Sequence, residues 1–456
     1  MTVPAADLRS IAEVSALVAQ REVSPQHLLE RCLARIEAGR HLNAFIAVMA
    51  DSARREAERA ADEIDAGRSR GPLHGIPISI KDLVDVAGTP TTSASAVPAL
   101  HPETDAPIVR RLRDAGAVLI GKTNLHEFAF GTTTEESSFG MVRNPFDTRR
   151  SAGGSSSGAA VALIEGMCYG SIGTDTGGSI RIPSAACGTV GLKPALGELT
   201  CEGIVPLSTT CDHVGPMTRT VGDARLMFEA LTGSPLPMVA NNGPFAFGVP
   251  TGYLLERLDP TVRTALSETR RALAAAGHRV RDVQIEGAEI TADVYLHIVL
   301  PEAAAYHAPL LEQYAELYSP GVRLRLEMGR TILAEDYVRA MQLRGMLIAH
   351  VDAALAGCDA LLLPALAIPA PVLGESTVTI DGAAEPIRTV MLRLTQLFNV
   401  TGHPAIALPS GRTGTGLPLG MQLVGARKGT AQLLAIAAAT EAQITGGAGS
   451  VGGGTG

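Results

Sequence analysis

Two serine-glycine segments and one lysine carry the residue types that acyl transfer requires. Residues 153–158 read Gly-Gly-Ser-Ser-Ser-Gly, residues 175–181 read Asp-Thr-Gly-Gly-Ser-Ile-Arg, and Lys81 precedes both within Ile-Ser-Ile-Lys-Asp. A serine hydroxyl is a weak nucleophile until a neighbouring base takes its proton. A lysine can be that base if burial or a nearby cation lowers its pKa by roughly 3 units from about 10.4. The chain therefore offers a nucleophile, a second hydroxyl to relay the proton, and an amine base.

Each feature also has an ordinary structural interpretation. Lys81 could be a solvent-facing strand lysine paired with Asp82, because lysines are mostly exposed. The serines of residues 153–158 could cap a helix or form an anion-binding turn. Residues 176–179 could form a tight turn between a strand and a helix, although two glycines also let several backbone N–H groups point at one oxyanion. A Walker phosphate loop is excluded, because no Gly-Lys-Ser/Thr follows.

The sequence gives no support for histidine or metal catalysis. No histidine accompanies a G-x-S-x-G nucleophile elbow, because the sequence around Ser179 is Gly-Gly-Ser-Ile-Arg. His126 and Glu127 do not begin an H-E-x-x-H motif, since no second histidine follows at the required position. No set of ligands occurs at metal-binding spacing. We therefore expect structural or surface roles for the histidines, no metal and no other cofactor.

Alternating strand and helix patterns surround the chemical segments. Residues 76–81 alternate isoleucine with Pro, Ser and Lys, which predicts a strand with Lys81 on the face opposite the isoleucines. Residues 156–165 predict a tightly packed helix, and residues 168–173 predict a strand. This alternation is typical of an α/β sheet. The other segment predictions are helices in residues 1–70, a connector at 235–252, a mostly helical region at about 290–356 that covers the site, and a flexible glycine-rich tail at 446–456.

Composition limits the partners and the compartment. The 456 residues carry a net charge of −8, with 46% hydrophobic and 18% charged residues. Scattered basic residues and a negative charge argue against a nucleic-acid partner. The N-terminus lacks a signal-peptide pattern, and no apolar run approaches the roughly 18 residues of a membrane span. The six cysteines form no C-x-x-C pair, so we predict reduced thiols in a cytoplasmic protein without a membrane partner.

In their order and spacing, the lysine and the two serine segments resemble the amidase signature family of serine hydrolases. The resemblance covers about residues 5–445 and includes flanking motifs. These motifs are Leu-His-Gly-Ile-Pro at 73–77, Gly-Lys-Thr-Asn at 121–124, Asn-Pro at 144–145, Gly-Leu-Lys-Pro at 191–194, Gly-Pro-Met-Thr-Arg at 215–219 and Asn-Val-Thr-Gly-His-Pro-Ala at 399–405. It implies a single α/β/α sandwich domain, residues 1–445, built on a large mixed β-sheet.

The resemblance also implies roles for individual residues. Ser179 would be the acyl-forming nucleophile, Ser155 the relay serine after a cis peptide bond with Gly154, and Lys81 the general base. The oxyanion would be held by backbone N–H groups of Thr176, Gly177, Gly178 and Ser179. Ser156 would hydrogen-bond to Lys81, and Asp175 and Arg181 would support the nucleophile loop.

The substrate is less closely defined than the reaction. The family implies that the acyl side of the site is lined by Phe128, Ala129, Phe130, Gly131 and Thr132, although both phenylalanines could equally be core residues. The chain resembles bacterial amidases, aryl acylamidases and urethanases, and also the glutamine-hydrolysing component of the tRNA-dependent amidotransferase. That component has an acidic residue where this chain has Leu392, which favours a neutral aryl or alkyl substrate over glutamine.

We therefore expect a monomer or homodimer that hydrolyses a small-molecule amide or carbamate. Loss of Lys81, Ser155 or Ser179 would indicate a non-catalytic binding protein on the same scaffold, and all three residues are present.

Overall fold

A computed structural model of the protein describes residues 8–237 and 243–446. Its strands are β1 (Phe45–Val48), β2 (Pro77–Lys81), β3 (Val118–Thr123), β4 (Arg143–Asn144), β5 (Asp147–Ser151), β6 (Gly170–Asp175), β7 (Val190–Lys193), β8 (His213–Thr218), β9 (Ala246–Pro250), β10 (Arg279–Val283), β11 (Ala360–Pro364), β12 (Thr377–Ile380), β13 (Ala383–Pro386), β14 (Ala405–Arg412) and β15 (Pro418–Val424). Its α-helices are α1 (Ile11–Ala19), α2 (Pro25–Ala38), α3 (Ala50–Asp65), α4 (Pro107–Asp114), α5 (Ser157–Ile164), α6 (Arg181–Cys187), α7 (Val221–Thr232), α8 (Tyr253–Glu256), α9 (Pro260–Ala275), α10 (Thr291–Tyr314), α11 (Pro320–Gly329), α12 (Ala334–Leu355), α13 (Ile387–Leu392), α14 (Gln396–Val400) and α15 (Thr430–Ile444).

Within the described residues, one mixed sheet of 11 strands forms the centre of the molecule. Its strand order is β1-β3-β2-β6-β8-β7-β14-β15-β11-β9-β10. Strands β3, β2 and β6 run parallel, whereas β6, β8, β7, β14, β15 and β11 alternate in direction. Helices α5 and α6 pack on the sheet as one group, and α7, α9 and α15 pack on it as another. The predicted α/β/α sandwich with a large mixed sheet is confirmed.

The two parallel strands β2 and β6 bring the chemical segments to one edge of the sheet. They pair in register, with Ile80 opposite Ile172. Parallel strands end at the same edge, so Lys81 at the end of β2 and Asp175 at the end of β6 lie close together. Helices cover both faces of the sheet, and β2 and β6 are therefore buried along their whole lengths.

Several local predictions agree with the structure, and two do not. The helix predicted at 156–165 is α5, and the strand predicted at 168–173 is β6, shifted by two residues. The connector predicted at 235–252 is wrong in part, because its apolar Ala-Phe-Gly-Val-Pro sequence forms β9 between β10 and β11. The helical N-terminal part also contains the edge strand β1. Residues 447–456 of the predicted tail lie outside the described residues.

The region predicted to be helical at about 290–356 contains α10, α11 and α12. No helix in the described parts of the chain combines the length and apolar character needed to cross a membrane. All six cysteines are free thiols.

Candidate active site

Lys81 is completely buried at the end of β2 and carries no carboxylate partner within ion-pair distance among the described residues. Its Nζ donates hydrogen bonds to Ser155 Oγ and Thr174 Oγ1, both at 2.8 Å. Burial lowers the pKa of Lys81 to about 7, against the opposing effect of the charges on Asp175 and Asp212. A large fraction of this amine is therefore neutral near pH 7 and able to accept a proton.

The alternative pairing of Lys81 with Asp82 is wrong. Asp82 instead forms a buried ion pair with Lys122, with a separation of 2.8 Å between Nζ and Oδ1. Asp82 follows β2 directly, and side chains of successive residues in an extended chain point to opposite sides, so Asp82 points away from Lys81. The local charge of Asp82 is neutralised by a lysine on another segment, which leaves Lys81 with hydroxyl partners.

The Gly154–Ser155 peptide bond is cis, as the family resemblance predicts. Gly154 packs so closely on the backbone of Thr132 that a Cβ there would lie 2.8 Å from its carbonyl carbon. The next residue, Ser156, is not a partner of Lys81, which corrects the sequence-based prediction. Its Oγ donates to Thr174 O at 3.1 Å, and Lys81 bonds to the side chain of the same threonine.

The segment 176–179 presents buried backbone amides without acceptors. No described residue accepts a hydrogen bond from the N–H groups of these four residues, whereas three of their carbonyls are engaged. The engaged carbonyls are Gly177 O with Thr395 Oγ1, Gly178 O with Ile182 N, and Ser179 O with Ser156 N. Buried N–H groups are nearly always paired in folded proteins, so free amides at one turn form a suitable site for an oxyanion.

Asp175 and Arg181 support this turn through buried hydrogen bonds. Both side chains are fully buried, and Asp175 accepts two hydrogen bonds from the guanidinium and one from Ile180 N. Although burial would raise the pKa of Asp175, Arg181 holds it well below its usual range. Arg181 also donates to Gln422, Thr395 O and Asn399. The predicted supporting positions of Asp175 and Arg181 agree with these contacts.

The two serine hydroxyls lie on adjoining segments. Ser156 N donates to Ser179 O at 3.1 Å, which joins the cis-peptide loop to the turn at 176–179. Among the hydrogen bonds of the described residues there is no direct one between the hydroxyls of Ser155 and Ser179. Hydrogen bonds used in catalysis often tighten only when a substrate is bound.

Asp212 is a site residue that sequence reasoning missed. It accepts a 2.5 Å hydrogen bond from Thr176 Oγ1 and two more from Leu207 N and Ser208 N. Burial raises the pKa of Asp212 to about 6, and these hydrogen bonds oppose the rise. Its position just before the Gly-Pro-Met-Thr-Arg motif was the one available signal. Thr174, the second partner of Lys81, was missed in the same way and has no motif of its own.

The predicted substrate-binding residues 128–132 lie between the cis-peptide loop and the helical region. Phe128 and Ala129 adopt left-handed backbone conformations, with φ of 49° and 58°. The Phe128 ring packs on His307 and Tyr318, with centroids 4.4 and 5.3 Å away. Gly131 is fixed against His126, where a Cβ would approach the ring to about 2 Å. The segment contacts Gly154 through Thr132, so it borders the cis-peptide loop.

Three further residues surround Gly177, and none was predicted to do so. A Cβ on Gly177 would lie 2.6 Å from Tyr295 Oη and 3.1 Å from Leu392 Cδ2, and Thr395 bonds to the Gly177 carbonyl. Tyr295 belongs to α10 and Leu392 ends α13. The helical region therefore reaches the turn at 176–179 through Tyr295 of α10. Within the described residues, no group of three or more His, Cys, Asp or Glu side chains could hold a metal ion.

Comparisons with known proteins agree with this architecture. The family model described as Amidase matches residues 27–434. An amidase of Pseudomonas putida is 39% identical over 426 residues, which cover 90% of each chain. The A-type subunit of glutamyl-tRNA(Gln) amidotransferase from Syntrophus aciditrophicus (strain SB) is 32% identical, with 95% of this chain and 96% of the relative covered. A crystal structure of an amidase superposes with a TM-score of 0.92 at 40% identity, covering 96% of this chain and all of the other. The chain belongs to the amidase signature family.

Proposed function

We propose that this protein hydrolyses the C–N bond of linear amides through an acyl-enzyme on Ser179, with Ser155 as the relay and Lys81 as the general base. The observation that carries the proposal is the 2.8 Å hydrogen bond from a buried Lys81 to Ser155 Oγ. A buried amine with a pKa near 7 is matched to proton transfer at neutral pH.

The proton path follows from these contacts. Ser179 Oγ attacks the amide carbonyl carbon and passes its proton to Ser155 Oγ, while the Ser155 proton moves to Lys81 Nζ. The tetrahedral intermediate collapses with cleavage of the C–N bond, and Lys81 returns its proton through Ser155 to the leaving amine. Water repeats the sequence on the acyl-enzyme and releases the acid.

The negative oxygen of the tetrahedral intermediate binds to the free amides of residues 176–179. Removal of one such donor costs about 3 kcal/mol in other hydrolases. The Asp175–Arg181 pair and the hydrogen bond from Thr176 to Asp212 fix the turn before the substrate arrives. Preorganised donors need no rearrangement at the moment of reaction, so this support contributes to the rate.

The second candidate is glutamine hydrolysis within a tRNA-dependent amidotransferase, and similarity to a component of such an enzyme favours it. Leu392 opposes it. Its side chain lies against Gly177, and an apolar side chain offers no negative charge to the ammonium group of glutamine. A carbamate adds one oxygen beside the carbonyl and needs no new catalytic group. We therefore propose that this hydrolase, which we expect to be cytoplasmic, also cleaves urethanes.

The test compares initial rates on a p-nitroanilide, a matched p-nitrophenyl carbamate and glutamine, using wild type and Ser179→Ala. We expect product release from the anilide by the wild type and a loss of at least about 10⁴-fold in Ser179→Ala. Ser157→Ala is a suitable serine control, because Ser157 Oγ bonds to Thr134 and not to the lysine.

Each remaining outcome of this experiment has a definite meaning. Near-native turnover in Ser179→Ala would refute the nucleophile assignment. Hydrolysis of glutamine alone would favour the amidotransferase component, and hydrolysis of the carbamate alone would identify a urethanase.

A further inference from the structure

Arg388 is a half-buried arginine on α13 with no carboxylate within ion-pair distance among the described residues. Its one hydrogen bond there joins Nη1 to Phe130 O at 3.2 Å. The guanidinium also lies over the Phe130 ring, 5.8 Å from the centroid. A guanidinium has five N–H donors in a fixed fork, so most of its donor capacity is free of protein acceptors.

Arg388 lies one helical turn from Leu392, which contacts the proposed oxyanion segment at residues 176–179. Leu392 follows four residues later on the same short helix, and residues spaced by four share one helical face. Leu392 lies against Gly177, so Arg388 occupies the same face one turn away, about 5.4 Å along the axis. Phe130, its hydrogen-bond partner, belongs to the segment 128–132 that borders the cis-peptide loop.

The charged groups around Arg388 have a net positive charge. Arg325 lies on Phe130 as well, 5.2 Å from the centroid, but it pairs with Glu136 at 2.9 Å. His126 shares the same carboxylate. Burial lowers the pKa of Arg388 to about 10, and it remains charged at neutral pH. Because taking an uncompensated charge out of water is costly, an anionic ligand would stabilise the site.

We propose that Arg388 binds a carboxylate on the acyl part of the substrate, which makes monoamides of short dicarboxylic acids the preferred substrate class. The proposal rests on the function proposed above and replaces the expected neutral substrate with one that carries a carboxylate but no ammonium group. A guanidinium fork binds carboxylates in a bidentate manner, and the apolar Leu392 offers nothing to an α-ammonium group.

Ammonia release from three related amides tests the proposal. Pentanamide is neutral, glutaramate adds a terminal carboxylate, and glutamine adds an ammonium group to that carboxylate. We expect the wild type to prefer glutaramate to both others in kcat/KM. In Arg388→Met, the ratio of kcat/KM for glutaramate over pentanamide should fall about 10- to 100-fold, as expected for a hydrogen bond to a charged group.

Matched variants separate recognition from structure. Arg388→Lys should recover part of the ratio because it retains the charge, and Arg388→Gln keeps a donor for Phe130 O if the methionine variant does not fold. Arg393→Met is the control, because Arg393 is an arginine five residues away that bonds to Tyr253 O, and its ratio should equal that of the wild type.

Two results would overturn the proposal. One is a wild type without preference for glutaramate, and the other is an equal loss on both amides in the Arg388 variants, which would mean that Arg388 only supports Phe130. Amide hydrolysis that survives in Ser179→Ala would instead refute the proposed function itself.

Discussion

The proposed catalytic region, which comprises Lys81, Ser155 and residues 174–181, differs from the surroundings of Arg388 in how it accommodates charge. In the catalytic region, Arg181 is paired with Asp175 in the interior, and the buried Lys81 is held by hydroxyl groups in a setting that favours its neutral form. Arg388 keeps its charge and has a backbone carbonyl as its protein acceptor. The comparison shows that the charged side chains around Lys81 are paired or held in a neutral form by protein groups, whereas Arg388 has no carboxylate partner among the described residues, and under our proposal the substrate supplies one.

The largest expected effect comes from Lys81→Met in the proposed catalytic region. Loss of the base should reduce kcat by about 10⁴-fold or more on every substrate, since the chemistry is common to all of them. Measured rates on glutaramate and pentanamide should fall by the same factor. If Lys81→Met lost activity on only one of the two amides, the distinction between the proposed catalytic region and the surroundings of Arg388 would be wrong.

The same variant should be more stable than the wild type, because it removes a buried ionisable amine. The Lys81 pKa is lower in the folded protein, at about 7, than in the unfolded chain, at 10.5. The unfolded chain therefore binds more protons between these pH values. As pH rises through this window, the free energy of unfolding of the wild type increases relative to that of the variant. Thermal unfolding at several pH values measures the difference. A gap between the two proteins that is independent of pH would contradict the lowered pKa.

A smaller effect is expected from Asp212→Asn, which changes a charge while keeping an acceptor for Thr176. In the wild type, kcat/KM should rise with pH through about 7 as Lys81 loses its proton. The negative charge of Asp212 raises the pKa of Lys81. Removal of this charge should therefore move the rise in kcat/KM to lower pH. The pH profile of kcat/KM measures the shift.

The control for this experiment is Asp65→Asn, which removes an exposed carboxylate paired with Arg21 and should leave the profile in place. If the rise in kcat/KM moved to higher pH in Asp212→Asn, or did not move, Lys81 would not be the group that titrates.

The sequence was most informative where function depends on short contiguous segments. The cis-peptide loop and the turn at 176–179 each lie within a few residues, so motif and order predicted their positions. The role of Ser156 was wrong, because a backbone carbonyl of β6 competes for its hydroxyl. That competition depends on how two segments pack, which spacing along the chain does not specify.

Residues brought in by tertiary packing could not be predicted. Tyr295 and Leu392 reach Gly177 from segments more than 110 positions away in the chain. Asp212 lies 36 positions from Thr176, and Arg388 lies 258 from Phe130. No local pattern marks such pairs. The surroundings of Gly177 and Phe130 are built from such contacts, so the sequence specifies the serine and lysine segments more closely than the residues that surround them.

The most direct test of the central claim is mass spectrometry of the enzyme quenched during turnover of a p-nitrophenyl ester. We predict one acyl group on the peptide that contains Ser179, formed in wild type and absent from Ser179→Ala. An acyl group on Ser155 or Lys81 instead, or steady turnover by the wild type without an acyl group on any peptide, would contradict the account.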